Sequence, residues 1–424
     1  MNRIEISESK NYFMKDGAPF FYLADTVWSA FTNTTMDEWR EYLEYRQTQG
    51  FNVLQISMLP ITHDSSESIL AILPFRLNPQ GKMDFSQIND EYFERAEKMV
   101  EMAAEKGFVP ALVVLWNNYV PDTWAAKRSP DTVMPFDAVK RYTEYVTRRF
   151  SRFHPIYIIS GDTNFEAETV CRYYKTTMDI VKSIDPQGLT TMHLSPSGDI
   201  PDEILNSSNL DFYMYQSGHG LESQDNPYLL AEKFYTKPIR RPVVNGEPCY
   251  EGHGHGSRYG RFHAFDVRKA IWQSLLSGAK AGVTYGAHGI WSWHRKGLKF
   301  TSESFSGIPF DWKTALRLEG AWDASFAKWI FEVYRLFDLE PRDLIDNKTR
   351  EIRMAASRDF EKVALYLPYS VEVKVKADLS GYEWIMIDLE HKRVAKPVVK
   401  AEEESTAIQM HDFNSDVILI GRHF

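Results

Sequence analysis

Eight short apolar runs, each followed by a stretch of helical period or a loop, fill the first three-quarters of the chain. Such a pattern leaves few options beyond repeated βα units around a parallel sheet. The runs are Phe20–Asp25, Asn52–Ser57, Val109–Trp116, Pro155–Asp162, Leu189–His193, Leu210–Gln216, Pro242–Glu247 and Gly282–Gly286. Their nearly continuous apolar character suits strands covered on both faces. Eight of them, with helices interposed, point to an α/β fold of the (β/α)8 TIM-barrel type rather than an open sheet.

The intervening helices carry their own punctuation. Thr35 and Glu38 make a capping-box pair, Trp39, Tyr42, Leu43 and Arg46 follow on one face, and Gly50 marks the stop. A second helix is expected from about Glu91 to Lys106, ended by Gly107. After the fourth run, Val170, Tyr173, Thr177, Ile180, Val181 and Ile184 keep a helical period until Asp185-Pro186 breaks it. Val267, Ala270, Ile271, Ser274 and Leu275 repeat the pattern after the seventh. A long loop, Ala287 to Ala315, follows the eighth run and carries Trp291, Trp293, His294 and Arg295; loops of this length are usually functional. A helix is expected near Leu316–Leu336.

From about Glu340 the period changes to two, with short alternating segments such as KVALYLPY, VEVKVKA and DVILIGR. These predict a small antiparallel β-sandwich, so the chain divides into a catalytic barrel over 1–337 and a β domain over 338–424. A total of 424 residues suits one large core and one small one.

The net charge of -9, with no long basic run, argues against a nucleic-acid or anionic-membrane partner, since both require clustered Lys and Arg. Aromatics reach 14%, and aromatic faces stack on the C–H faces of sugars. Cys171 and Cys249 lie far apart with no metal spacing and read as free thiols. The first residues lack the apolar segment that export requires, so the expected compartment is the cytoplasm.

In barrels the reactive groups sit where strands end, and those ends carry Asp25, Ser57, Trp116, Asp162, His193, Gln216, Glu247 and His288. Two carboxylates stand out, because each closes a strand directly after a glycine: Gly161-Asp162 and Gly246-Glu247. Strands four and seven face each other across a barrel mouth. Glycoside hydrolysis needs one carboxyl group kept protonated for the leaving oxygen and another kept ionised to attack, or to activate water. Asp162 and Glu247 are therefore the expected catalytic pair. The alternative for each is a helix cap for Asp162 and an ion pair with Arg240 or Arg241 for Glu247.

Asp25, Trp28, Trp116, His193, Gln216, Tyr285, His288 and Trp291 are the expected substrate-binding residues, each weighed against an ordinary packing or capping role. Glu251, four residues past Glu247, is the rival nucleophile. His253-Gly254-His255 raises a metal-dependent hydrolase as an alternative, and a non-catalytic carbohydrate-binding barrel is another. There is no dinucleotide fingerprint, phosphate loop or G-x-S-x-G elbow, so dehydrogenase, kinase and esterase readings lapse; the two-carboxylate scheme calls for no cofactor and no metal, and the expected partner is an oligosaccharide.

The segments FFYLADTVWSAF, EWREYLEYRQTQGFNVLQIS, IYIISGDTN, PVVNGEPCYEG and GVTYGAHGIWSW, in this order, resemble the apiosidase-like glycoside hydrolases over most of residues 10–335. The resemblance implies a retaining barrel glycosidase with Asp162 as general acid/base and Glu247 as nucleophile. It also implies a plant-derived substrate, pectic or apiose-containing. Residues 340–424 look like the collagen-binding-type β domain that accompanies members of this family.

Overall fold

A computed structural model describes residues 3–64, 72–256, 258–300 and 304–423. Its centre is an eight-stranded parallel barrel: β1 (Tyr22–Thr26), β2 (Val53–Ser57), β3 (Val109–Trp116), β4 (Ile156–Gly161), β5 (Thr190–Thr191), β6 (Tyr213–Gln216), β7 (Val243–Glu247) and β8 (Gly282–Tyr285). Seven neighbouring pairs form ladders, and a parallel bridge between His193 and Met214 joins β5 to β6, closing the ring. Helices α1 (Met36–Thr48), α2 (Asp90–Glu105), α3 (Phe136–Phe150), α4 (Glu168–Ile184), α5 (Asp202–Leu205), α6 (Asn226–Tyr235), α7 (Ala264–Leu276) and α8 (Gly320–Val333) follow the strands in turn. The expected barrel is thus present.

Individual elements are shorter than the apolar runs. The first run divides at Phe21: Phe20 ends a small antiparallel sheet built from residues 5–20, whose Phe13 packs on Tyr22 and Phe212. The fifth run forms only two ladder residues. The expected capping box at the start of α1 is formed, with Thr35 Oγ1 accepting from the Glu38 amide and Glu38 accepting from the Thr35 amide. Such a cap contributes about 1 kcal/mol. Glu38 also accepts from Trp293 and Arg295, so this helix end anchors the long loop after β8.

The C-terminal region has β9 (Glu340–Pro341), β10 (Arg353–Ala356), β11 (Lys362–Leu367), β12 (Val373–Val375), β13 (Glu383–Asp388), β14 (Arg393–Ala395), β15 (Val399–Ala401), β16 (Thr406–Ile408) and β17 (Val417–Arg422). Six of these pair in the order β9-β10-β11-β17-β13-β14 and three in the order β12-β16-β15, all antiparallel. Strand period two explains how the larger sheet is buried twice. Val363, Leu365, Val417 and Leu419 face the smaller sheet, while Ala364, Tyr366, Ile418 and Ile420 join the barrel core, with Tyr366 stacked on Trp272 of α7. A buried Arg268 from α7 pairs with Asp416 at 2.7 Å and Asp323 at 2.9 Å, fixing the junction.

Candidate active site

Inside the barrel Gln55 donates to Tyr22 and Thr284, so Tyr22 and Thr284 point inward on β1 and β8. Strand alternation then sends Asp25 and Tyr285 outward, toward the helices. Asp25 is fully buried there, paired with Arg46 Nε at 2.6 Å and accepting from Tyr42 at 2.8 Å. Tyr285 donates to Glu251 at 2.6 Å. Glu251 accepts as well from the Gly320 amide at 2.9 Å, which caps the start of α8. The expected sugar ligands Asp25 and Tyr285, and the rival nucleophile Glu251, therefore lie behind the barrel wall and do not line the cavity.

Glu247 would follow Asn245 outward if β7 were regular; Asn245 itself reaches Ser274 on α7. The ladder with β6 slips at this point, pairing Tyr215 with Asn245 and Gln216 with Glu247, so Gly246 is the extra residue of a bulge. The bulge turns Glu247 into the mouth. Only glycine fits, because a Cβ at 246 would lie 2.3 Å from the Met214 side chain. Gly161 is required for a similar reason: the Trp116 indole lies across it, 2.3 Å from where a Cβ would stand.

Asp162 follows Gly161 in the left-handed region, with φ 51°. Asp tolerates this conformation better than most residues, and three donors hold it: its carbonyl accepts from Asn117 (2.6 Å), Ser195 (2.8 Å) and Trp124 (3.2 Å). Asp162 and Glu247 both line one cavity of about 570 Å3 at the C-terminal mouth of the barrel, with Trp28, Trp116, Gln216 and Trp291 from the expected set. Trp28 packs edge-on against Trp116 at 5.3 Å and donates to Tyr250, which also lines the cavity.

The two carboxylates are held in opposite states. Burial pushes Asp162 up to about 6, against the pull of His63, with nearby Glu247 adding to the rise. Burial would also raise Glu247, yet contacts with His193 and His219 reverse this and hold it well below the usual carboxylate range. Both imidazoles are oriented alike. The Asp162 amide donates to His193 Nδ1 and the Tyr250 amide donates to His219 Nδ1. Each ring thus presents its N–H at Nε2, 3.1 Å from Glu247 Oε2 for His193 and 2.9 Å from Oε1 for His219. Gln216 adds a third donor at 3.0 Å.

His193 is thus placed against the carboxylate rather than in the cavity lining. His288 stands one layer back: it accepts from Trp291 Nε1 at 3.1 Å, its Nε2 lies 2.9 Å from the Gly307 carbonyl, and burial lowers its ring to about 3. His253 and His255 do not form a chelating pair. His253 Nδ1 faces the Gly254 carbonyl at 2.7 Å and its ring stacks on His219, whereas His255 packs on Phe262. Among the described residues no group of three or more His, Cys, Asp or Glu is arranged to hold a metal.

Sequence reasoning missed His219 and His63. His219 lies three residues beyond Gln216, past the end of β6, and His63 six beyond Ser57. Both stand on loops, where no period marks a side chain's direction.

Comparison with known proteins places this geometry in context. The family described as apiosidase-like, catalytic domain, matches residues 7–338. No curated protein matches the sequence. Among solved structures, a glycoside hydrolase superposes with a TM-score of 0.83 at 20% identity, covering 100% of this chain and 97% of its own. A glycoside hydrolase family 5 protein from Bacteroides vulgatus gives 0.82 at 20% identity, covering 99% and 93%. An endo-1,4-beta-mannanase from Rhizomucor miehei gives 0.51 at 12% identity, covering 77% and 99%. These likenesses speak for the fold, and the family match spans most of the chain: the protein belongs to the apiosidase-like glycoside hydrolases.

Proposed function

We propose that the protein is a retaining glycosidase acting on a plant-derived oligosaccharide, pectic or apiose-containing, with Asp162 as general acid/base and Glu247 as nucleophile. The observation that carries this reading is two unlike carboxyl environments in one cavity: Asp162, which burial raises to about 6, and Glu247, held low beside His219, Gln216 and His193. In the first step a Glu247 oxygen bonds to the anomeric carbon as the glycosidic C–O bond breaks, and the Asp162 proton passes to the leaving oxygen. In the second, Asp162 takes a proton from water as the water oxygen replaces Glu247 at the same carbon. Trp28, Trp116 and Trp291 offer aromatic faces for the sugar.

The test is a screen of nitrophenyl glycosides and pectic oligosaccharides, followed by proton NMR of the first-formed anomer. Retention of configuration is expected, and inversion would reassign Glu247 as a base acting on water. In Asp162→Asn, substrates with poor leaving groups should lose far more activity than nitrophenyl glycosides, which need little protonation. Equal losses would remove Asp162 from the acid role.

A further inference from the structure

We propose that His63 is the positioning residue of the acid/base, holding the Asp162 carboxyl so that the oxygen beside it carries the proton to the leaving group. This rests on the catalytic pair assigned above. The side chain of Glu247 is hydrogen-bonded to His219 and Gln216 and lies 3.1 Å from His193 Nε2, whereas the carboxyl of Asp162 is met in ion-pair contact by one basic group among the described residues, His63, whose Nε2 lies 3.3 Å from Oδ2. The other oxygen, Oδ1, is buried with no hydrogen-bond partner among the described residues. Oδ2 is therefore the oxygen a leaving group can reach, and it is the one His63 touches.

The imidazole is itself fixed by the cavity wall. Its ring stands edge-on to Trp124 at 5.0 Å and to Trp116 at 5.8 Å, and Trp124 is the residue whose indole also holds the Asp162 carbonyl. Facing Asp162 from the other elements are His193 from the end of β5, Glu247 from β7 and Tyr174 from α4, with Arg128 on the same cavity wall. His193 has its Nδ1 engaged by the Asp162 amide and its Nε2 turned to Glu247, so it does not serve the acid. His63 is left to do so. With a proton at Nε2 the ring can donate to Oδ2 once the carboxyl proton of Asp162 has gone to the glycosidic oxygen. The carboxylate so formed is then held ready to take the proton of the attacking water.

The first experiment needs no substrate. The full chain, labelled with 13C at the aspartate carboxyl, is titrated by NMR, with Asp162→Asn identifying the signal. Removing His63 takes away a group that favours the ionised carboxyl, so the Asp162 midpoint should move up by about one pH unit in His63→Ala and by less in His63→Gln, which keeps a donor. An unchanged midpoint in both variants overturns the proposal.

The second experiment follows the pH profile of kcat/KM with the 4-nitrophenyl and phenyl glycosides of whichever sugar is turned over. The alkaline limb should move up with the NMR midpoint. His63→Gln, which keeps a donor, should retain more phenyl-glycoside activity than His63→Ala, for which a loss of about 10–100-fold is expected. In the Asp162→Asn background His63→Ala should cost nothing further, because it acts through Asp162. Equal losses for both leaving groups, or an additive loss in the double variant, overturn it. Failure of the catalytic assignment shows instead as turnover that survives Asp162→Asn and Glu247→Gln, whatever the titration gives.

Discussion

Four carboxylates stand at or just beyond barrel strand ends, and they divide between two regions whose chemistry differs. Asp25 and Glu251 occupy the layer between strands and helices, where Asp25 Oδ2 meets Arg46 and Tyr42, and Glu251 Oε2 meets Tyr285 and the Gly320 amide. Asp162 and Glu247 occupy the mouth, where the partners are imidazoles, an amide side chain and open space. In the layer each carboxylate is paired with a guanidinium or with fixed donors, away from the cavity at the barrel mouth. At the mouth Glu247 is matched by imidazole and amide donors rather than by a guanidinium, and Asp162 meets His63 in ion-pair contact on the cavity wall. A buried carboxyl becomes chemically useful where it opens on the barrel mouth beside a second carboxyl held in the opposite state.

The sharpest break would come from Glu247→Gln. Turnover should fall by about 10^4-fold or more, because the group proposed to bond to the anomeric carbon is lost. The fold should persist, since the amide still occupies the same space; near-unchanged thermal unfolding with lost activity is the expected pair of readings. If Glu247→Gln retained activity while Glu251→Gln lost it, the division between the regions would be reversed.

The pH profile sharpens the same contrast. Productive enzyme needs Asp162 protonated and Glu247 ionised. With Asp162 raised to about 6, the protonated fraction falls about tenfold per pH unit above that value, so kcat/KM on poor leaving groups declines there. With Glu247 depressed, its ionised form persists below the ordinary carboxylate range, and the acid limb lies under about pH 4. In Asp162→Asn the alkaline limb should disappear, with activity on poor leaving groups about 10^2–10^4-fold lower. A limb that survived would have to be assigned to another group.

For the outer layer the expected effect is on stability. Asp25→Asn leaves the Arg46 guanidinium buried without its counter-charge, and breaking a buried pair in this way costs about 3–5 kcal/mol. The denaturation midpoint reports it. Replacing both partners together, Asp25→Asn with Arg46→Met, should cost less than Asp25→Asn alone, because no unpaired charge remains. A double variant as unstable as the sum of the singles would show that the two do not act as a pair.

These contrasts also explain what could be read before any coordinates. The barrel and the C-terminal β domain were legible because period two, helical period and the Thr35–Glu38 cap are local signals. Asp162 and Glu247 could be singled out as a glycine-preceded carboxylate at a strand end, and the glycines are now accounted for by Trp116 and Met214. Asp25 shares the strand-end position but not the direction, since direction depends on the phase of alternation. One clue was present: Arg46 lies on the apolar face of α1 with Trp39, Tyr42 and Leu43, and an arginine buried there requires an acid. The direction of Glu247 could not be read, because it depends on a slip between β6 and β7 that no local pattern announces. His63 and His219 reach the site from loops, brought in by tertiary packing alone.

The smallest expected effect comes from Glu251→Gln, and it bears directly on the rival nucleophile. Burial raises the Glu251 carboxyl above its usual value, with the Tyr285 hydroxyl and the Gly320 amide acting against that rise. Both bonds fall on Oε2, and a glutamine oxygen in that place can accept both, so the loss is a weakened acceptor at the start of α8. Stability should fall by about 1–2 kcal/mol, seen as a modest drop in thermal midpoint. Activity per folded molecule should stay within a few-fold of the parent, because α8 and its cap lie behind the wall that carries Tyr285. A loss of catalysis larger than the loss of stability explains would mean that the layer behind the barrel communicates with its mouth, and the separation between the two pairs of carboxylates would fail at this point.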